Sequence, residues 1–255
     1  MIDYDHDRNL HTLEGASAAF RAIFADSLPK SILDVGCGQG TWLRAALDLG
    51  VSDVLGLDGV NIPEDHLFIP AHLFRQQDLT QPWNLERRFE VAICVEVAEH
   101  LDKSAAEDLI GSITRHTDVV VFSASPFEGG QHHVNCQWPA YWQRLFNNCG
   151  FACHDDLRWR IWDDARIEAW YRQDVFLAKR DPNAGTEERI KPVVHPEMLQ
   201  RMLGAETERC RDVVRAEIER GSQSVAWYLG LPAAALLAKM KRSLSRALSA
   251  RTTRG

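Results

Sequence analysis

The stretch from Ser31 to Gly40, SILDVGCGQG, restricts what this chain can fold into more than any other. Ile32, Leu33 and Val35 make an apolar run that meets glycines at alternate positions, which reads as a buried strand halted by a tight turn. The residues that follow, TWLRAALDLG, have helical spacing. Gly36, Gly38 and Gly40 carry no side chains, so the backbone can bend sharply and a ligand can approach the peptide groups and the helix N-terminus. A strand, turn and helix of this kind form a nucleotide cradle. A dinucleotide fingerprint counted from Gly36 would need its third glycine at Thr41, and a phosphate loop would need a Gly-Lys-Ser/Thr run. Both readings fail.

The spacing Asp34-x-Gly36-x-Gly38-x-Gly40, with Asp58 closing the next apolar run (VLGLD), resembles the first two motifs of class I S-adenosylmethionine-dependent methyltransferases. The resemblance implies an α/β, Rossmann-like fold: a seven-stranded sheet with helices on both faces. It implies S-adenosylmethionine as cofactor, with Asp34 and the three glycines under its methionine and ribose parts. Asp58 would take both ribose hydroxyls, as a carboxylate with two acceptor oxygens can. Asp78 and Leu79 would meet the adenine, and Val95 would border the donor at the end of the fourth strand.

Periodicity places the rest of the sheet. Residues 15–27 read as a helix before the first strand, and strands are predicted at 53–58, 72–77, 89–95 and 118–124. Helices are predicted at 103–116 and 138–149, the latter with Pro139 in its first turn and Gly150 at its end. Residues 151–159 and 169–178 read as two further strands, the last antiparallel. The methyltransferase-like domain is therefore expected over 1–180. Residues 181–255 are read as a helical C-terminal extension with a long helix at 197–220 and a basic tail.

Charge and cysteine usage narrow the setting. The six cysteines form no C-x-x-C pair and no secretory leader precedes them, which suits reduced thiols in the cytoplasm. The chain carries a formal charge of -7, but residues 221–255 hold six basic residues and no acid, so the body is more acidic still. Such a body argues against a nucleic-acid partner, while the tail suits an anionic surface. The segment from Val225 to Ala238 is uncharged and too short to span a bilayer; with Trp227, Tyr228 and the basic run after it, it suits peripheral membrane contact at the inner face. The apolar stripe of the long helix suits either packing on its own domain or a homodimer.

In an open α/β sheet the acceptor sits beyond the carboxyl ends of the strands. The segments there read VEVAEHL and SPFEGGQHHVNCQW. Glu96, Glu99 and His100 stand at i, i+3 and i+4, so one helical turn would put them on one face, and His132 and His133 follow in the next loop. Two carboxylates with imidazoles make either a divalent metal site or an acid-base cluster. The E-x-x-E-H run with a downstream His is similar to metal-dependent ribose 2′-O-methyltransferases of small-RNA ends, and the run alone to O-methyltransferases of ubiquinone biosynthesis. That likeness implies Glu96, Glu99, His100 and His133 as ligands of magnesium or manganese. Without a metal, His133 or His132 is the expected general base, with Glu96, Glu99 and His100 around it. The stretches GQHHVNCQWPAYWQ and IWDD...WYRQ also resemble bacterial methyltransferases associated with surface-glycan gene sets. A glycan or small-molecule acceptor is expected. Tyr4, His6 and His11 are candidates for a lid over the cofactor.

Overall fold

The computed structural model describes residues 4, 11–128 and 130–220, with the single positions 226 and 230. His6, most of the uncharged segment 225–238 and the basic tail lie outside the described residues. Two compact units divide the chain, Met1–Met198 and Leu199–Gly255.

In the first unit, α1 (Leu13–Ile23) leads into β1 (Ser31–Val35), α2 (Thr41–Asp48), β2 (Asp53–Asp58) and β3 (Phe74–Gln76). Then come β4 (Val91–Val95), α3 (Ala106–His116), β5 (Val119–Ser123), α4 (Pro139–Asn148) and β6 (Phe151–His154). Two short helices, α5 (Asp156–Ile161) and α6 (Ala169–Asp174), precede β7 (Phe176–Arg180). The long helix α7 (Pro196–Arg220) begins in this unit and continues in the second.

The seven strands pair in the order β3-β2-β1-β4-β5-β7-β6, and β7 runs antiparallel to both of its neighbours. Alternate residues of each strand serve opposite faces. Leu33, Ala92, Cys94, Val120 and Phe122 join Leu109, Ile113 and Phe146 of α3 and α4 in one core layer. Ile32, Val91, Ile93 and Val121 join Phe20, Leu43 and Ile161 of α1, α2 and α5 in the other. Double coverage explains why these strands read as unbroken apolar runs.

Two features depart from the sequence reading. Residues 169–174 form α6 rather than the start of a strand, because Ala169, Tyr171, Gln173 and Asp174 are buried by packing beside the sheet, which overrides their local preference. Likewise β6 ends at His154 and α5 follows. The segment 181–198 packs within the first unit. The Glu187 carboxylate accepts from Asn147 Nδ2 (2.6 Å), Gln143 Nε2 (3.1 Å) and the Cys153 N–H (3.1 Å), and Ile190 is buried. Among the described residues no helix is long and apolar enough to cross a membrane.

Candidate active site

The glycine loop is built by steric necessity. Gly36, Gly38 and Gly40 adopt φ of 77°, 53° and 87°, the left-handed region that side chains disfavour. A Cβ on Gly36 would stand 2.3 Å from Val97 Cγ2, so close packing also requires hydrogen there. The N–H groups of Gly36 and Cys37 donate to the Leu57 carbonyl (2.7 and 2.9 Å), which ties the loop to the end of β2. Asp58 completes the tie: its Oδ2 accepts from the Gly38 N–H (2.8 Å) and its Oδ1 from the Val60 N–H (2.9 Å).

A cavity of about 170 Å³ lies over this loop, along the carboxyl ends of β3, β2, β1 and β4. Of the residues singled out from sequence, Asp34, Gly36, Gly38, Asp58, Asp78, Leu79, Val95, Glu96 and His100 line it. Gly40, Glu99, His132 and His133 do not. Asp34 is buried, its Oδ2 has no hydrogen-bond partner, and burial followed by the charge of Asp58 pushes its pKa up to about 8. At the other end Asp78 is exposed; the Thr80 hydroxyl (2.6 Å) and N–H (2.9 Å) hold it below the ordinary carboxylate range.

Beyond β4 the backbone turns at Glu96, whose φ of 57° is unusual for a residue with a side chain. Ser123 at the end of β5 holds it there: the Glu96 N–H donates to both the carbonyl and the hydroxyl of Ser123 (3.1 Å each), and that hydroxyl donates to Glu96 Oε1 (2.8 Å). A 3₁₀ turn, Ala98–His100, follows in place of the expected α-helical turn. Glu99 is fully buried; its Oε1 accepts from the Ser125 N–H (3.1 Å), and its carbonyl accepts from the N–H groups of Val134 and Asn135 (2.9 and 3.0 Å). Glu99 thereby fixes the loop that brings His133 to His100, with ring centroids 4.8 Å apart.

Glu99, His100 and His133 offer ligand atoms within 4.8 Å of one another. Glu96, bonded to Ser123, stands outside that group, and His132 is exposed with φ of 56°. Burial first, and then each carboxyl's nearness to the other, hold Glu99 well above its ordinary range; burial also raises Glu96. Burial and the neighbouring His133 push His100 down to about 4, so its ring is neutral at pH 7. The Phe127 carbonyl, 2.8 Å from His133 Nδ1, can only accept. In neutral His133 the proton therefore sits on Nδ1 and the lone pair on Nε2.

Sequence reasoning missed Trp42, which lines the cavity together with Tyr171 of the WYRQ stretch, and the buried Asp174. Burial and then the charge of Glu96 raise Asp174, and Gln173 Nε2 lies 3.1 Å from both its oxygens. Tyr4 and His11 do reach the cavity, as a lid would require. Tyr4 meets the His100 ring edge-on at 4.8 Å, and His11 Nδ1 lies 2.7 Å from the Tyr171 hydroxyl.

A family profile described as a methyltransferase domain matches residues 4–162. No curated protein matches the chain. Magnesium protoporphyrin IX methyltransferase (ChlM) from Synechocystis PCC 6803, solved with bound SAH, is 18% identical over 66% of this chain and 83% of that one, with a TM-score of 0.48. DesVI of Streptomyces venezuelae is 15% identical over 66% and 92%, with a TM-score of 0.47. CalS10, an amino pentose methyltransferase from Micromonospora echinaspora, is 15% identical over 68% and 93%, with a TM-score of 0.47. The profile spans more than half of the chain and takes in the glycine loop, Asp58 and the E-x-x-E-H run, and on that match the chain belongs to the methyltransferase domain family, as a class I S-adenosylmethionine-dependent enzyme.

Proposed function

We propose that this enzyme is an O-methyltransferase acting on a sugar hydroxyl of a surface glycan, a glycolipid or a nucleotide sugar. The observation that carries this reading is the meeting of the donor cavity with a carboxyl-imidazole cluster whose carboxyl, Glu99, is buried. His100 lines the cavity and His133 packs on His100. Asp34 and the loop of Gly36, Gly38 and Gly40 would hold the methionine and ribose of S-adenosylmethionine. Asp58 would take the ribose hydroxyls, Asp78 and Leu79 would flank the adenine, and Val95 would border the donor. The acceptor oxygen attacks the methyl carbon in line with the carbon-sulfur bond, whose electrons leave on sulfur as a neutral thioether. Without a bound ion, the acceptor proton passes to His133 Nε2, the lone-pair nitrogen, while Glu99 and His100 hold that ring in place.

A sugar is favoured by the aromatic surface beside His133. Trp138 is 41% exposed and stands edge-on to Phe127 at 5.5 Å, and the Phe127 carbonyl orients His133. Sugars offer flat C–H faces to such rings and hydroxyls to carboxyl and imidazole groups.

A divalent cation, magnesium or manganese, fits the same cluster. Glu99 Oε2 and His100 Nδ1 are buried without a hydrogen-bond partner, as ligand atoms awaiting an ion would be. Glu99, His100 and His133 would hold it, the His133 lone pair then serving as a ligand in place of its role as base, and when bound it would lower the pKa of the acceptor hydroxyl. The test is release of S-adenosylhomocysteine with nucleotide sugars, lipid-linked glycans, catechols and short RNAs, each with and without chelator. Turnover on a sugar supports the reading, and loss of that turnover on chelation supports the ion. Turnover confined to RNA or catechol rejects the sugar.

A further inference from the structure

The aromatic surface beside His133 continues along one helix. Trp138 immediately precedes α4, and Tyr141 and Arg144 follow it at i+3 and i+6, so the three share one side of that helix. A rise of 1.5 Å per residue puts Arg144 about 9 Å beyond Trp138. Trp138 and Arg144 are exposed, and Tyr141 is half-buried.

A second cation reaches the same phenol from the segment that carries the imidazole cluster. Lys103 opens a short 3₁₀ turn, Lys103–Ala105, and follows His100 by three residues and Leu101 by two, both of which line the donor cavity. Its Nζ lies 5.4 Å from the centre of the Tyr141 ring, and the Arg144 guanidinium carbon lies 5.4 Å from the same centre. Both are at cation–π distance. Elsewhere on this acidic surface Arg44, Arg87, Arg88 and Arg180 each find a carboxylate. Among the described residues Lys103 and Arg144 form no hydrogen bond or salt bridge. Glu107 of α3 is near enough for its charge to act on Tyr141, yet it pairs with neither cation. Two like charges are therefore gathered on one ring with no anion between them.

The Tyr141 hydroxyl also makes no hydrogen bond among the described residues. Burial holds its pKa above the ordinary range, against the pull of Arg144, so it is a donor at neutral pH. One guanidinium fork satisfies a carboxylate. A diphosphate instead offers one phosphate to each of two cations and keeps oxygens for the phenol. With the sugar ring on Trp138, a diphosphate joined to that sugar falls farther along α4, at Tyr141 and Arg144.

We propose that Lys103, Tyr141 and Arg144 receive the diphosphate of an acceptor whose sugar is linked to a nucleoside or to a lipid carrier; this narrows the sugar reading above and rests on it. The test is calorimetric titration of the full chain, saturated with S-adenosylhomocysteine and free of divalent ions, with inorganic pyrophosphate, uridine diphosphate, farnesyl diphosphate and glucuronate. The wild-type protein should bind pyrophosphate more tightly than glucuronate, and the double variant Lys103→Gln, Arg144→Gln should weaken pyrophosphate about tenfold, as the loss of two exposed ion pairs does. Lys103→Arg, which keeps the charge, should retain the affinity. Tighter binding of uridine diphosphate than of farnesyl diphosphate supports a nucleotide sugar, and the reverse order supports a lipid-linked one. Wild-type protein that binds no diphosphate, a double variant that binds as tightly as wild type, or glucuronate bound more tightly than pyrophosphate would overturn the inference and leave the sugar reading standing. Diphosphate binding as expected, with no methylation of any sugar, would overturn the sugar reading and the inference with it.

Discussion

Asp34 is the residue at which folding and the proposed donor binding pull against each other. Its carboxyl is enclosed with Asp58, Cys37, Cys94 and Tyr171 around it, and its pKa stands near 8 against an ordinary value of 3.8. Between those values the folded state keeps a proton that the unfolded chain releases, so stability falls as pH rises from about 4 and the full cost is reached above about 8. Asp34→Asn should therefore raise the melting temperature of the ligand-free protein at pH 9 by about 2–4 °C per kcal/mol recovered. The gain should vanish near pH 4, and thermal melts followed by circular dichroism across that range would check it. Gly36 is constrained by space as well as by its φ of 77°, so Gly36→Ala should cost about 1–3 kcal/mol in urea unfolding. At this scale the glycines, Asp34 and Asp58 were legible because their chemistry is local in sequence. The hydrogen bonding of Glu96 to Ser123 was not, since Ser123 comes from another strand.

At the scale of elements, the ends of β4 and β5 act as one unit. The Ser123 hydroxyl bonds both the backbone and the carboxyl of Glu96, where the chain takes its strained turn toward the 3₁₀ segment carrying Glu99 and His100. Ser123→Ala should lower kcat roughly tenfold, the worth of one or two hydrogen bonds, while calorimetry finds S-adenosylmethionine affinity unchanged. Loss of donor affinity in that variant would mean that the turn supports the cavity rather than the transfer step. The strands β1, β2, β4 and β5 were legible from their apolar runs because each is buried on both faces. Helix α6 was not, since its aromatic residues mimic a strand until Tyr171 packs against Trp42, and with it went the buried Asp174.

For the whole molecule, the seven-stranded sheet was implied by two short motifs near the N-terminus, because a glycine loop with an acid after the next strand resembles one family of sheets. The reach of the first unit to Met198 was hidden, as Glu187 and Ile190 are held by partners from α4 and β6 that are distant in sequence. The uncharged segment from Val225 to Ala238 and the six basic residues after it lead us to expect peripheral binding to anionic membranes. Full-length protein should float with anionic vesicles, and a chain ending at residue 220 should not; equal flotation of both would reject the anchor.

The most direct measurement is transfer of a deuterated methyl group from labelled S-adenosylmethionine to a panel of glycans and nucleotide sugars, read by mass spectrometry and NMR. The wild-type enzyme should place the label on a sugar oxygen, Asp58→Ala should lose the product through donor binding, and His133→Ala should lose it with donor affinity intact. Label found only on RNA ribose, on a phenol or on nitrogen, or full sugar methylation by His133→Ala, would contradict the account.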